Sequence, residues 1–86
     1  MYKLCFYVPE NVADLVKNAV FEAGAGKIGD YDSCCWQTLG TGQFRPLDNR
    51  NPYIGEKGQI ATVTELKIEM VCANEHIKAG IAAIKK

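Results

Sequence analysis

Thr64 to Cys72 reads TELKIEMVC, and its apolar residues alternate: Leu66, Ile68, Met70 and Cys72 fall on one side, Glu65, Lys67, Glu69 and Val71 on the other. A strand with one buried and one wet face produces that pattern. Just beyond it, Asn74 stands where a helix cap would, and Ile77, Gly80, Ile81 and Ile84 follow as one apolar stripe. A glycine inside such a stripe lets the helix backbone come close to its neighbour. The N-terminus repeats the scheme. Tyr2, Leu4, Phe6 and Val8 alternate with Lys3, Cys5 and Tyr7 until Pro9 stops the strand. Asn11 is then placed to cap a helix, with Asp14 as a capping-box partner and Val12, Leu15, Val16, Ala19, Val20 and Ala23 on one face. Gly24 and Gly26 supply a left-handed stop.

Between these two strand-helix units the reading is coarser. The segment YDSCCWQTLG, from Tyr31 to Gly40, predicts a strand; Gly40 and Gly42 flank Thr41 and predict a glycine turn or bulge before FRPL continues extended. From Asp48 to Gly58 the sequence DNRNPYIGEKG has no period and reads as a long excursion between strands. The predicted order is β, α, β, β, α, an α+β class. A ferredoxin-like sandwich adds one more strand beside strand one. Here the sequence stops at Ile84-Lys85-Lys86, so strand one is expected to keep an open edge, as a truncated chain or an oligomer would show.

The bulk properties narrow the function classes. An 86-residue chain of 9.5 kDa makes one small domain, and a chain of that mass hides roughly 63% of its unfolded surface. Ten basic residues balance ten acidic ones, which gives no field to gather nucleic acid or a membrane surface. No apolar run approaches the ~20 residues of a membrane span. The four cysteines, Cys5, Cys34, Cys35 and Cys72, do not read as a disulfide framework. Two are adjacent, MYKLCFYVPE lacks a signal region, and no glycosylation sequon occurs, so a reducing cytoplasm is expected.

The stretch Gly24 to Gly58, GAGKIGDYDSCCWQTLGTGQFRPLDNRNPYIGEKG, resembles the YqfO-type domain, which stands alone in some bacteria and is inserted in larger members of the NGG-interacting-factor-three-like family. The matching residues are Gly24, Gly26, Ile28, Gly29, Tyr31, Cys35, Trp36, Gly40, Gly42, Phe44, Pro46, Pro52 and Gly55, then Glu65, Glu69 and Cys72. The resemblance implies a ferredoxin-like sandwich similar to the PII and CutA proteins, which assemble as trimers. The family pattern runs on into a His-Pro-Tyr-Glu-Glu-like segment and a last strand that this sequence does not reach. The dinuclear metal centre of the larger relatives belongs to their other domain, so no residue here inherits a metal ligand from it.

Several local patterns invite a chemical reading. Gly24 to Gly29 spells GxGxxG, but it follows a helix and precedes a strand, the reverse of a dinucleotide cradle, and reads as a helix cap and turn. Cys72 and His76 form a C-x3-H pair that could serve a metal-binding module; against it, zinc sites use closer spacings and four ligands, and Cys72 continues an apolar face. At least one of Cys34 and Cys35 is expected to be buried, and His76 to be exposed. Glu65 and Glu69 lie ~13 Å apart along a strand, too far for a carboxylate dyad, and pairing with Lys3 accounts for them better. An enzyme using Arg45 and these glutamates on a small anion is the least supported reading. The excursion from Gly40 to Gly58 carries Arg45, Asn49, Arg50, Asn51 and Tyr53, suited either to a small anion or to packing on a neighbouring subunit. Tyr31, Trp36, Arg45, Arg50, Tyr53 and Glu65 are therefore the candidate ligand-binding residues. The expected protein is a non-enzymatic, PII/CutA-like regulatory or binding domain without cofactor, working as a dimer or trimer.

Overall fold

The computed structural model describes residues 1–47 and 58–85. Strand β1 (Tyr2–Val8) leads through a 3₁₀ turn at Glu10–Val12 into helix α1 (Ala13–Glu22). Strands β2 (Trp36–Phe44) and β3 (Ala61–Cys72) follow, and a second 3₁₀ turn at Asn74–His76 opens helix α2 (Ile77–Ile84). The sheet is antiparallel in the order β1-β3-β2, so the strand with the clearest alternation lies in the middle. The α+β class read from the sequence holds. Among the described residues, the outer edge of β1 pairs with no strand.

Alternation in β1 and β3 builds the core. Leu4, Phe6 and Val8 face Met70, Ile68 and Leu66 across the ladder, and all six are buried. Ala13 and Val20 of α1 close over them, with Ile77 and Ile84 of α2 packed at the rim. Ile68 is fully buried, and burying a side chain of that size contributes about 1.5–3 kcal/mol. Gly80 allows α2 its close approach: a Cβ there would lie 3.2 Å from Leu4 Cδ1 and 3.7 Å from Cys72 Sγ.

The end of α1 fixes the chain that follows. Gly24 N–H donates to Phe21 O at 3.0 Å and Ala25 N–H to Val20 O at 3.3 Å, a Schellman cap with Gly24 at φ +112°. Any larger residue at Gly24 would also collide with His76, whose ring Cγ is 2.6 Å from the Cβ position. Gly26 then bonds in both directions: its N–H donates to Val71 O and its carbonyl accepts from Cys34 N–H, each at 2.8 Å. The GxGxxG letters therefore serve the cap and turn that their context predicts.

Several expectations need correction. Gly40 and Gly42 form no turn; β2 runs straight through them, opposite Glu65 and Val63. A Cβ at Gly42 would sit 3.0 Å from Glu65 Oε1, so that glycine marks a close approach rather than a bend. Strand β3 begins at Ala61, three residues before the alternation becomes legible at Thr64. Neither Asn11 nor Asn74 caps a helix by its side chain, because each lies within a 3₁₀ turn. Leu15 is exposed, whereas Ala13, absent from the predicted stripe, is buried: the 3₁₀ entry rotates the face that meets the sheet. Tyr2 and Ile81 lie at the margins of the core and stay exposed. The excursion from Asp48 falls, up to residue 57, outside the described residues.

The helices cover only part of the sheet. β1 pairs with β3 from Leu66 to Cys72, whereas β2 pairs with it from Ala61 to Glu69. The far ends of β2 and β3 project as a two-stranded arm, and the molecule measures 49 × 23 × 19 Å with a radius of gyration of 15.4 Å. A compact chain of this length has a radius of about 12 Å.

Candidate functional site

The sheet face turned away from the helices is assembled by register. Glu69 has Cys5 of β1 on one side and Trp36 of β2 on the other; Lys67 has Tyr7 and Thr38; Glu65 has Gly40. Because β3 alternates, Glu65, Lys67 and Glu69 come to this face together with Val63 and Val71, while Leu66, Ile68, Met70 and Cys72 go to the core.

Two open grooves run along the face and share Glu69. The first, about 390 Å³, lies at the end nearest the Gly26–Cys34 loop and is lined by Lys3, Ile28, Cys34, Cys35, Trp36, Glu69, Met70 and Val71. The second, about 310 Å³, runs toward the arm between Tyr7, Thr38, Gly40, Glu65 and Lys67. Lys3 Nζ and Glu69 Oε1 meet at 2.6 Å in the first groove, the cross-strand pairing that the sequence suggested. The hydrogen bond to Glu69 raises the Lys3 ammonium above the usual lysine range, and the same bond from Lys3 holds the Glu69 carboxyl below the usual glutamate range. The Trp36 ring is 69% exposed, yet its Nε1–H donates to Thr38 Oγ1 at 3.1 Å, which orients the indole.

The six candidate residues do not gather into one site. Trp36 and Glu65 share the outer face, one in each groove. Tyr31 is exposed on the preceding loop, held by a bridge to Ile28 in which each N–H donates to the other carbonyl, at 2.9 and 3.0 Å. Arg45 follows the last residue of β2, at the far end of the arm from Trp36. Arg50 and Tyr53 lie outside the described residues. Sequence reading missed Ile28, Cys34 and Cys35 as groove residues; the alternation of β1 did place Lys3 on the outer face, and only the strand order was needed to bring it to Glu69.

The thiols and the histidine also differ from expectation. Cys34 is half-buried and Cys35 exposed, because the loop carrying them runs along the open rim of the sheet. His76 is half-buried, its ring packed on the Gly24 backbone. Cys72 is buried with Sγ donating to Ala73 O at 3.6 Å. Among the described residues no three His, Cys, Asp or Glu side chains converge as a metal site, so the Cys72 and His76 module is not supported. Nor is any described helix long and apolar enough to cross a membrane.

No family model matches the sequence. Individual proteins do. The chain is 41% identical over 86 residues to the GTP cyclohydrolase 1 type 2 homolog of Halalkalibacterium halodurans and 48% identical over 83 residues to the protein of that name in Mycobacterium tuberculosis. All of the chain aligns in the first case and 96% in the second, but it spans only 23% and 22% of those relatives' lengths. In structure it is similar to a Bacillus cereus protein related to NIF3, with a TM-score of 0.81 and 33% identity over 95% of this chain and 20% of that one. Sequence and fold thus agree with one segment of larger proteins, and the chain belongs to the NGG-interacting-factor-three-like family.

Proposed function

We propose that this domain is a non-enzymatic, PII/CutA-like module of ferredoxin-like type that associates with copies of itself and binds a small ligand. The observation that carries the reading is the outer edge of β1, which among the described residues offers a row of backbone donors and acceptors beside an uncovered sheet face. Such an edge is a template for further strand pairing, and folded proteins cover it. Its neighbour on the sheet surface adds Tyr7 and Trp36, both well exposed, to a balanced set of two lysines and two glutamates. Two β1 edges related by a twofold axis are self-complementary and suit a second copy of the chain, which leaves the face carrying Trp36 to a ligand.

The non-catalytic part of the reading is supported by proportion. The chain corresponds to about a fifth of its relatives, leaving the larger part of each to carry any activity that the name GTP cyclohydrolase 1 type 2 homolog denotes. Four free thiols suit work in a reducing cytoplasm.

Light scattering on this chain, and on a version extended through the family's last strand, tests the assembly. A discrete dimer or trimer in both supports it. A strict monomer in both at tens of micromolar overturns it, and assembly of the extended form alone assigns the β1 edge to that further strand.

A further inference from the structure

The first groove has a composition that narrows what it can hold. Ile28, Val71 and the face of Trp36 supply apolar walls, while Lys3 and Glu69 supply the polar contacts. At about 390 Å³ it is within the size range of small-molecule sites. Trp36 is the sole tryptophan, and its bond to Thr38 fixes the ring plane before any ligand arrives, which lowers the ordering cost of stacking on it.

Charge decides between ligand classes. A lone anion attracted to Lys3 would meet the Glu69 carboxylate, and a lone cation drawn to Glu69 would meet the Lys3 ammonium, since the two heads are 2.6 Å apart. Their mutual contact uses one ammonium N–H and one carboxylate oxygen. Among the described residues neither has another bonding partner, so Lys3 keeps two donors and Glu69 keeps Oε2 as an acceptor. A neutral planar ring with a carbonyl oxygen beside an N–H satisfies both heads at once, the oxygen accepting from Lys3 and the N–H donating to Glu69. Hydrogen bonds to charged groups are also stronger than neutral ones. We propose that this groove binds a planar cyclic amide, stacked on Trp36 and held at its amide edge by the Lys3–Glu69 pair. The proposal rests on the small-ligand half of the function proposed above and names its site and chemistry. Every residue it uses comes from one chain, so it stands apart from the question of assembly.

The test uses carbostyril, a two-ring aromatic lactam, against N-methylcarbostyril, which keeps the ring and loses the donor, and butyrolactam, which keeps the amide edge and loses the aromatic plane. The indole N–H resonance of Trp36 is the reporter, and no other tryptophan overlaps it. Carbostyril is expected to shift that resonance saturably, with the other two binding about tenfold more weakly. Glu69→Gln, which keeps the side-chain stem and loses the charge, is expected to bring carbostyril down to the level of its N-methyl form without changing the latter, whereas Lys3→Met, which removes the donor to the carbonyl that both compounds keep, is expected to weaken both. Retained thermal melting of the variants excludes loss of fold as the cause. Equal binding of the methylated ring, or no saturable shift by carbostyril at several millimolar, overturns the proposal. An oligomer that fails this titration refutes the groove alone; a monomer that passes it refutes the assembly alone.

Discussion

One strand, β3, has two unlike halves. From Leu66 to Cys72 its inward side chains are all buried, whereas at Thr62 and Thr64, on the same face, they are exposed. Pairing with β2 does not separate them, since that strand runs beside β3 from Ala61 to Glu69. What separates them lies on the other side and above: β1 pairs only with the Leu66 to Cys72 half, and the helices pack over that half. The chemistry follows the covering. Leu66, Ile68, Met70 and Cys72 give way to Thr62 and Thr64 where no described helix lies over the sheet, and β-branched polar residues hold a strand without needing burial.

The comparison can be broken most forcefully at Ile68. Ile68→Ala removes a fully buried side chain and is expected to destabilise by about 3–4 kcal/mol in urea unfolding; a loss under about 1 kcal/mol would mean the helix layer does not close the core. Next comes Gly24, at the joint between helix and sheet. Gly24→Ala meets both a positive φ and the His76 ring, and a loss of about 2 kcal/mol is expected. A near-neutral Gly24→Ala, with α1 unchanged by circular dichroism, would show that His76 yields easily.

The outer-face pair gives a smaller effect with a distinctive pH signature. The Glu69 carboxyl is held low by its bond from Lys3, so its contribution is full above the ordinary glutamate range and is lost as pH falls through the depressed value. The Lys3 ammonium, raised by the same bond, contributes fully below the ordinary lysine range and loses its share as pH rises through the raised value. The gap in urea midpoint between the native chain and Glu69→Gln should therefore narrow from about pH 6 to about pH 3. A gap constant across that interval would show that the pair does not form in solution. Smallest of all is Leu39→Ala on the arm, where the side chain is 56% exposed; its unfolding free energy should stay within about 0.5 kcal/mol of the native value. A larger loss at concentrations where the chain self-associates would show that the arm is buried against a second copy.

How much of this was legible in the sequence follows from the same contrast. β1, α1, β3 and α2 announced themselves because a covered face imposes a period: Leu4, Phe6, Val8 and Leu66, Ile68, Met70, Cys72 alternate as a buried face requires. Among the described residues β2 has no buried face. Gln37, Leu39, Thr41 and Gln43 look toward the helix side, where among the described residues Gln37 accepts from Lys17 Nζ at 2.9 Å. Without that constraint Gly40 and Gly42 read as punctuation, though they lie inside a regular ladder. The candidate site suffered from a related blindness. Trp36 and Glu65 were recognisable as residue types, but register, which puts Trp36 opposite Glu69 rather than Glu65, is a property of two strands together. Arg45 stands out in the sequence for its charge on the predicted excursion, and charge alone does not show that it lies at the far end of an extended arm.

The double bond made by Gly26, to Val71 on one side and Cys34 on the other, bears on how such a groove can change over evolutionary time. Both ends of the intervening loop are fastened to the sheet margin, so insertions or replacements between Lys27 and Ser33 need not disturb the strands on either side. Ile28 belongs to that loop and walls the groove. Descendants of this domain can therefore reshape one wall by drift in a segment insulated from the fold, keeping Lys3, Trp36 and Glu69 on the rigid strands while selectivity is retuned beside them.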